Sequence, residues 1–265
     1  HDIPIVIGGI EASLRRLAHY DYWENRVRRS ILLDSRADLL VYGPGELQVI
    51  EVARRLSEGR PLAGIPGTAI ISYDLPPHFE EIPSYEEVAS VADKFLEAQK
   101  ELANYKNLAQ KHANRYVLQY RAATYTPETL DWIYGLPFSR FIPADYHELE
   151  MAKFSVVTHR GCLGRCSFCS LSLHQGDRIV SRSEESILEE IRRLTYHPDF
   201  KGYIDDLGGP TANMYGMDCH ECERGFCLTC PKLDRSHRRL INLLRRARAI
   251  PGVKKVFVRS GIRYD

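Results

Sequence analysis

Cys162, Cys166 and Cys169 stand as C-x3-C-x2-C within the run His159-Arg160-Gly161-Cys162-Leu163-Gly164-Arg165-Cys166-Ser167-Phe168-Cys169. Three thiolates hold three irons of a [4Fe–4S] cube and leave the fourth iron open to a small molecule. A zinc site usually takes four ligands, so zinc here would need His159 or His174 as well. A disulfide framework is disfavoured, because the chain has seven cysteines, an odd number, and none precedes Cys162.

A second set follows. Cys219, Cys222, Cys227 and Cys230 form C-x2-C-x4-C-x2-C. They make a complete tetrahedral set for zinc, as a staple of the loop that carries them. They suit a second iron–sulfur cluster equally well. The spacing leaves both metals open.

Bulk composition narrows the classes. Hydrophobic residues make up 44% and charged residues 27%, ordinary for a soluble globular protein. The net charge of +1 does not call for nucleic acid. Arg238-Arg239 and Arg245-Arg246 sit in a helix-like pattern and read as solvated faces. No apolar run approaches the ~20 residues of a membrane span, and no signal peptide is evident. Clustered thiols without such a signal point to a cytoplasmic protein and metal chemistry. The chain enters the apolar run Ile3-Pro4-Ile5-Val6-Ile7 almost at once and stops just after another strand. It reads as an internal piece of a longer protein.

The elements that must position the cysteines are legible as an α/β pattern. Ile3 to Ile7 reads as a buried strand closed by Gly8-Gly9, and Glu11 to Trp23 has helix-like apolar spacing. Ala37 to Tyr42 is a second strand, Leu47 to Leu56 an amphipathic helix, and Thr68 to Ser72 a third strand. Such alternation predicts a parallel, Rossmann-like sheet covered by helices. Ser84 and Glu87 form a capping box for a long helix whose pattern extends to about His112. Tyr125 to Ala144, with Pro127, Pro137 and Pro143, reads as an irregular linker. From about Met151 the pattern becomes β-loop-α-β-α-β. Lys153 to Thr158 is a strand, and Ser183 caps a helix with a buried stripe of Ile187, Leu188, Ile191 and Leu194. A strand at Gly202 to Asp205 precedes Gly208-Gly209-Pro210-Thr211, and Val253 to Arg259 closes the series. The expectation is a partial domain over 1–82, a helical connector over 83–150, and the first half of a parallel barrel over 151–265 with a four-cysteine insertion at 219–230. The cysteine loop then leaves the C-terminal end of a barrel strand, where such folds place their chemistry.

The cysteine loop, the run Ser181-Arg182-Ser183-Glu184-Glu185-Ser186-Ile187-Leu188 and the run Asp206 to Tyr215 (DLGGPTANMY) together resemble the YgiQ-type radical SAM proteins. So do Ile7 to Arg16 (IGGIEASLRR) and Arg29 to Ser35 (RSILLDS). The resemblance covers nearly the whole chain. It implies an N-terminal portion of cobalamin-binding type followed by a radical SAM barrel. It implies that Cys162, Cys166 and Cys169 bind a [4Fe–4S] cluster and that the cluster cleaves S-adenosylmethionine (SAM) to methionine and a 5′-deoxyadenosyl radical, with an electron donor such as flavodoxin or ferredoxin. It further implies cofactor contacts at Phe168, Gly208, Gly209, Pro210, Thr211 and Ser260. The usual glycine-rich stretch ends in Glu, whereas Pro210 and Thr211 stand here. Cobalamin is neither required nor excluded by these residues, and no residue identifies the substrate.

Other classes remain in view. An RNA-modifying methylthiotransferase also pairs an α/β domain with such a barrel, but carries cluster cysteines in its first domain, and residues 1–161 have none. A non-catalytic zinc or iron–sulfur module, or a simple electron carrier, leaves the open three-cysteine site and the glycines unexplained. Asp205-Asp206 reads as a capped, solvated pair before an acid–base pair. His174, Asp177 and Arg178 lie just past the loop and are more often structural than pocket-lining.

Overall fold

A computed structural model describes residues 3–102, 106–219, 228 and 230–264. They fall into two compact units, His1–Thr124 and Tyr125–Asp265.

The first unit runs β1 (Val6–Ile7), α1 (Ile10–Leu14), β2 (His19–Asp21), β3 (Arg26–Arg28), α2 (Ile31–Ser35), β4 (Leu39–Val41), α3 (Glu46–Ser57), β5 (Thr68–Ser72), β6 (Glu80–Ile82), α4 (Tyr85–Ser90), α5 (Ala92–Leu102), β7 (Leu108–His112) and β8 (Arg115–Gln119). Its main sheet has the order β1-β4-β5-β8-β7-β6. The β1–β4 and β6–β7 pairs are parallel, whereas β4–β5, β5–β8 and β7–β8 are antiparallel. The sheet is therefore mixed, not the parallel one expected. A tight turn through Ala113, at φ 56, returns β8 beside β7, and so short a connection joins only antiparallel strands.

Two further expectations change here. Ile3 to Ile7 is not a buried strand: among the described residues β1 is an edge strand paired with β4, and Ile3 is 77% exposed. The helix opened by Ser84 does not reach His112. The Ser84–Glu87 capping box forms, with Glu87 N donating to Ser84 Oγ at 3.3 Å. Val91 then takes extended angles, φ −129 and ψ 115, which part α4 from α5. Residues 108–112 instead pair with β6 and β8, and Leu108, Ala109 and Gln110 are buried. Sheet pairing overrides the apolar stripe there.

The Ile7 to Arg16 string is a structural staple. Gly9, at φ 94, precedes α1. Ser13 Oγ donates to Gly9 O and accepts from Gly43 N, both at 2.9 Å. The buried Arg16 guanidinium donates to Gln119 Oε1 and to Leu102 O and lies 4.6 Å from the Tyr42 ring centre.

The second unit runs α6 (Pro127–Gly135), a 3-10 stretch (Ala144–Ala152), β9 (Val156–Val157), β10 (His159–Arg160), α7 (Leu171–Gln175), β11 (Val180–Ser181), α8 (Glu184–Thr195), β12 (Tyr203–Ile204), β13 (Leu207–Gly208), α9 (Arg238–Arg248) and β14 (Lys255–Val256). The supposed linker thus contains a helix. Thr126 caps it, accepting from Thr129 N at 3.2 Å, and Pro127 occupies its first turn, where the missing N–H has no helical partner to lose.

The site-bearing strands are parallel. β13 pairs with β9 and β12 with β14. Thr158 N donates to Gly208 O at 2.7 Å on one edge of residues 203–208, and Leu207 N to Phe257 O at 2.8 Å on the other. Residues 203–208 are therefore the middle strand of three. The α8 stripe of Ile187, Leu188, Ile191 and Leu194 packs with Leu240, Leu243 and Ala247 of α9 against Val156, Ile204 and Leu207. Beneath lies a buried charge cluster, in which Glu190 receives both Arg182 and Arg140. Among the described residues no helix is long and apolar enough to cross a membrane.

Candidate iron–sulfur and cofactor site

The cysteine loop begins where β10 ends. Gly161 has φ +90, and a Cβ there would lie 1.8 Å from Arg178 O, so only glycine passes this point. Cys162 N donates to Gly176 O at 3.0 Å, closing the loop's base. Arg165, at φ 43 between the first two cysteines, forms an ion pair with Asp177. Asp177 is buried and therefore acts as a clamp on the loop.

Two of the three sulfurs share one neighbour. A Cβ built on Gly164 would lie 3.4 Å from Cys162 Sγ and 3.5 Å from Cys166 Sγ. Gly164 N also donates to Cys162 Sγ at 3.4 Å. The third cysteine returns through a turn in which Cys169 N donates to Cys166 O at 2.9 Å. Cys162 is buried, Cys169 half-buried and Cys166 exposed, and all three are free thiols. Among the described residues no three His, Cys, Asp or Glu side chains are grouped as ligands of a single metal ion. The donor set fits an iron–sulfur cluster: soft sulfurs on one short loop, with a backbone N–H directed at one of them.

The glycine-rich segment lies at the C-terminal end of the middle strand, and its neighbours explain its composition. A Cβ on Gly208 would lie 2.1 Å from Ser260 Oγ, and one on Gly209 would lie 2.2 Å from His159 Cε1. Gly208, Gly209, Ser260 and His159, which leads into the cysteine loop, thus meet at the ends of three adjacent parallel strands. Ligands of open α/β sheets bind outside such carboxyl ends. Pro210 and Thr211 are half-buried, and Phe168 is 91% exposed. Asp206 Oδ1 accepts from Arg259 N at 2.7 Å, and Asp205 Oδ2 from Phe154 N at 3.1 Å. These carboxylates tie strands together.

His159 is the residue whose place the motif did not disclose. Its side chain is fully buried, Nδ1 lies 2.9 Å from Thr158 Oγ1, and burial pushes the imidazole down to about 4. Spacing marked it only as a spare metal ligand. Asp177, read from its place just past the loop as more often structural than pocket-lining, is structural, and only its pairing with Arg165 carried no signal in the sequence.

Of the second cysteine set, Cys222 and Cys227 lie outside the described residues. Cys219 and Cys230 pack on the apolar cluster that contains Cys162, Leu163, Met214 and Met217. The segment entering this set is fixed at Asp218, which accepts from Ser181 N at 2.5 Å and pairs with Arg239 at 3.3 Å.

Residues 1–159 match the family model described as Radical SAM N-terminal. A UPF0313 protein of Clostridium perfringens is 44% identical over 100% of this chain and 44% of its own length. One of Methanosarcina acetivorans is 43% identical over 100% of this chain and 42% of its own. The chain therefore spans less than half the length of these relatives. Among solved structures, the radical S-adenosylmethionine methyltransferase TsrM of Kitasatospora setae, with tryptophan and a SAM analogue bound, aligns with a TM-score of 0.42 at 21% identity, covering 76% of this chain and 29% of that one. Domain match and whole-chain identity agree: the chain belongs to the radical SAM N-terminal family and, within it, to the UPF0313 proteins of YgiQ type.

Proposed function

We propose that this chain is the SAM-activating part of a radical SAM enzyme. The observation that supports it is the free-cysteine loop Cys162–Cys169 following directly on His159, whose ring packs on Gly209 at the C-terminal end of a parallel strand. Cys162, Cys166 and Cys169 hold the cluster. When bound, a [4Fe–4S] cluster with an open iron supplies the electron that splits SAM into methionine and a 5′-deoxyadenosyl radical. The chain's own part is positioning. Gly161 and the Arg165–Asp177 pair set the loop, Gly164 N–H meets Cys162 Sγ, and Gly208, Gly209, Pro210, Thr211 and Ser260 border the SAM amino-acid end. The backbone at Phe168 borders the adenine.

The barrel half expected over 151–265 is the architecture in which this site works. Cys219, Cys222, Cys227 and Cys230 bind a second metal, zinc or another iron–sulfur cluster. The five described cysteines are all free, which suits a reducing cytoplasm and a reductant such as flavodoxin or ferredoxin.

Anaerobic reconstitution with iron and sulfide, followed by EPR of the reduced protein with and without SAM, tests the reading. A [4Fe–4S]⁺ signal that shifts on adding SAM is expected. Zinc at both cysteine sets and no cluster would replace it with a non-catalytic metal module.

A further inference from the structure

His159 stands three residues before the first cluster cysteine, and its surroundings are those of a ligand contact. The N–C–N edge of its ring closes on Gly209: an ideal Cβ there would lie 2.2 Å from Cε1, 2.4 Å from Nε2 and 2.6 Å from Nδ1. Nδ1 is engaged with Thr158 Oγ1 at 2.9 Å. Nε2 is buried and has no hydrogen-bond partner among the described residues. Ser260 Oγ, the atom packed on Gly208, is likewise buried and unpartnered. Two unpaired polar atoms therefore border one dipeptide, and a buried polar atom left unpaired is costly unless a ligand or water meets it.

The chemistry of the missing partner follows from the state of the ring. Desolvation holds the imidazole neutral at pH 7. In the tautomer that we assign, Nδ1–H is given to Thr158 Oγ1, and Nε2 then presents a lone pair and no proton. Asp218 is the charged group acting on the ring, and its negative field favours an N–H donor over a carboxylate. SAM offers such a donor in the amine of its methionyl end.

We propose that His159 is a cofactor-contacting residue whose Nε2 accepts a hydrogen bond from the amine of SAM, while its ring holds Gly209 against the cysteine loop. This inference rests on the radical SAM reading above.

The test uses the full chain, loaded anaerobically, with SAM affinity measured by equilibrium dialysis beside iron content and the EPR of the SAM-free reduced cluster. His159→Phe keeps a ring and removes both nitrogens. It should load iron as the wild type does but bind SAM roughly tenfold more weakly, the value of one lost hydrogen bond. A SAM analogue lacking the amine should bind wild type and variant equally. His159→Gln, which restores an acceptor, should recover most of the affinity. Thr158→Val leaves the imidazole in place and frees Nδ1. It should weaken SAM binding about threefold to tenfold with unaltered iron, and serves if the Phe variant does not fold. Wild-type SAM affinity in both His159→Phe and Thr158→Val would overturn the assignment. So would an equal loss for SAM and for the amine-free analogue. A wild-type protein with a formed cluster and no SAM binding would instead refute the radical SAM reading itself.

Discussion

Gly161 and Gly164 sit three residues apart in one loop and are bound by different rules. At Gly161 a methyl group meets a backbone oxygen at 1.8 Å in a backbone of φ +90. Neither neighbour can give way, because Arg178 O belongs to the chain that closes the loop. At Gly164 the nearest atoms are sulfurs at 3.4 and 3.5 Å, an ordinary contact distance. Gly161→Ala is therefore expected to cost at least about 2 kcal/mol and to abolish iron loading, whereas Gly164→Ala loads iron to near the wild-type level. Iron and sulfide analysis of both variants after reconstitution checks this, and the reverse order would contradict it. At this scale the cysteines and glycines were legible because ligand chemistry restricts residue type and spacing. His159 was not. Its importance lies in contact with Gly209, fifty residues on, and no local pattern carries such a contact.

The join between β7 and α4 shows how elements carry both stability and pH response. His112 ends β7, is 5% exposed, and stacks on Tyr85 of α4 at 5.5 Å between ring centres. Neither ring nitrogen has a hydrogen-bond partner among the described residues. Burial pushes the imidazole from 6.5 to about 4, against the opposing pull of Glu86 and Asp34 and with the help of Arg29 and Arg115. The sign follows directly. Between about pH 6.5 and 4 the unfolded chain binds this proton and the folded chain does not, so stability present above 6.5 is lost as the pH falls. The loss reaches about 3 kcal/mol at most. His112→Phe keeps the stack and removes the titration, so its stability should fall less steeply from about pH 7 to about 4.5, measured by denaturant unfolding at each pH. Parallel slopes would contradict it.

The same elements show where sequence patterns mislead. The caps at Ser84 and Ser183 were legible and form, because a capping side chain bonds within its own turn. The strand at 108–112 was read as helix because its pairing partners are set by the sheet. Pro127 was read as a breaker although, behind Thr126, it starts a helix.

On the scale of the molecule, the chain divides into two units with separate tasks. In the first, buried Arg16 and Ser13 tie the chain around α1 to the mixed sheet and its turns, and the string that marks the family works there as a staple. In the second, three parallel strands bring distant segments to one edge: His159, which leads into the cysteine loop, beyond β9, Gly208-Gly209 at the end of β13, and Ser260 beyond β14. The alternating pattern from Met151 onward made this half legible, since each strand and helix is short and sharply bounded. The mixed order of the first sheet was not, because apolar strand patterns carry no direction.

Chromatographic measurement of 5′-deoxyadenosine, released from SAM by the reduced, cluster-loaded protein, tests the central claim most directly. The account predicts release by the wild type and none from Cys162→Ala, Cys166→Ala or Cys169→Ala. A cluster-loaded, SAM-bound wild type that releases none on reduction would contradict it.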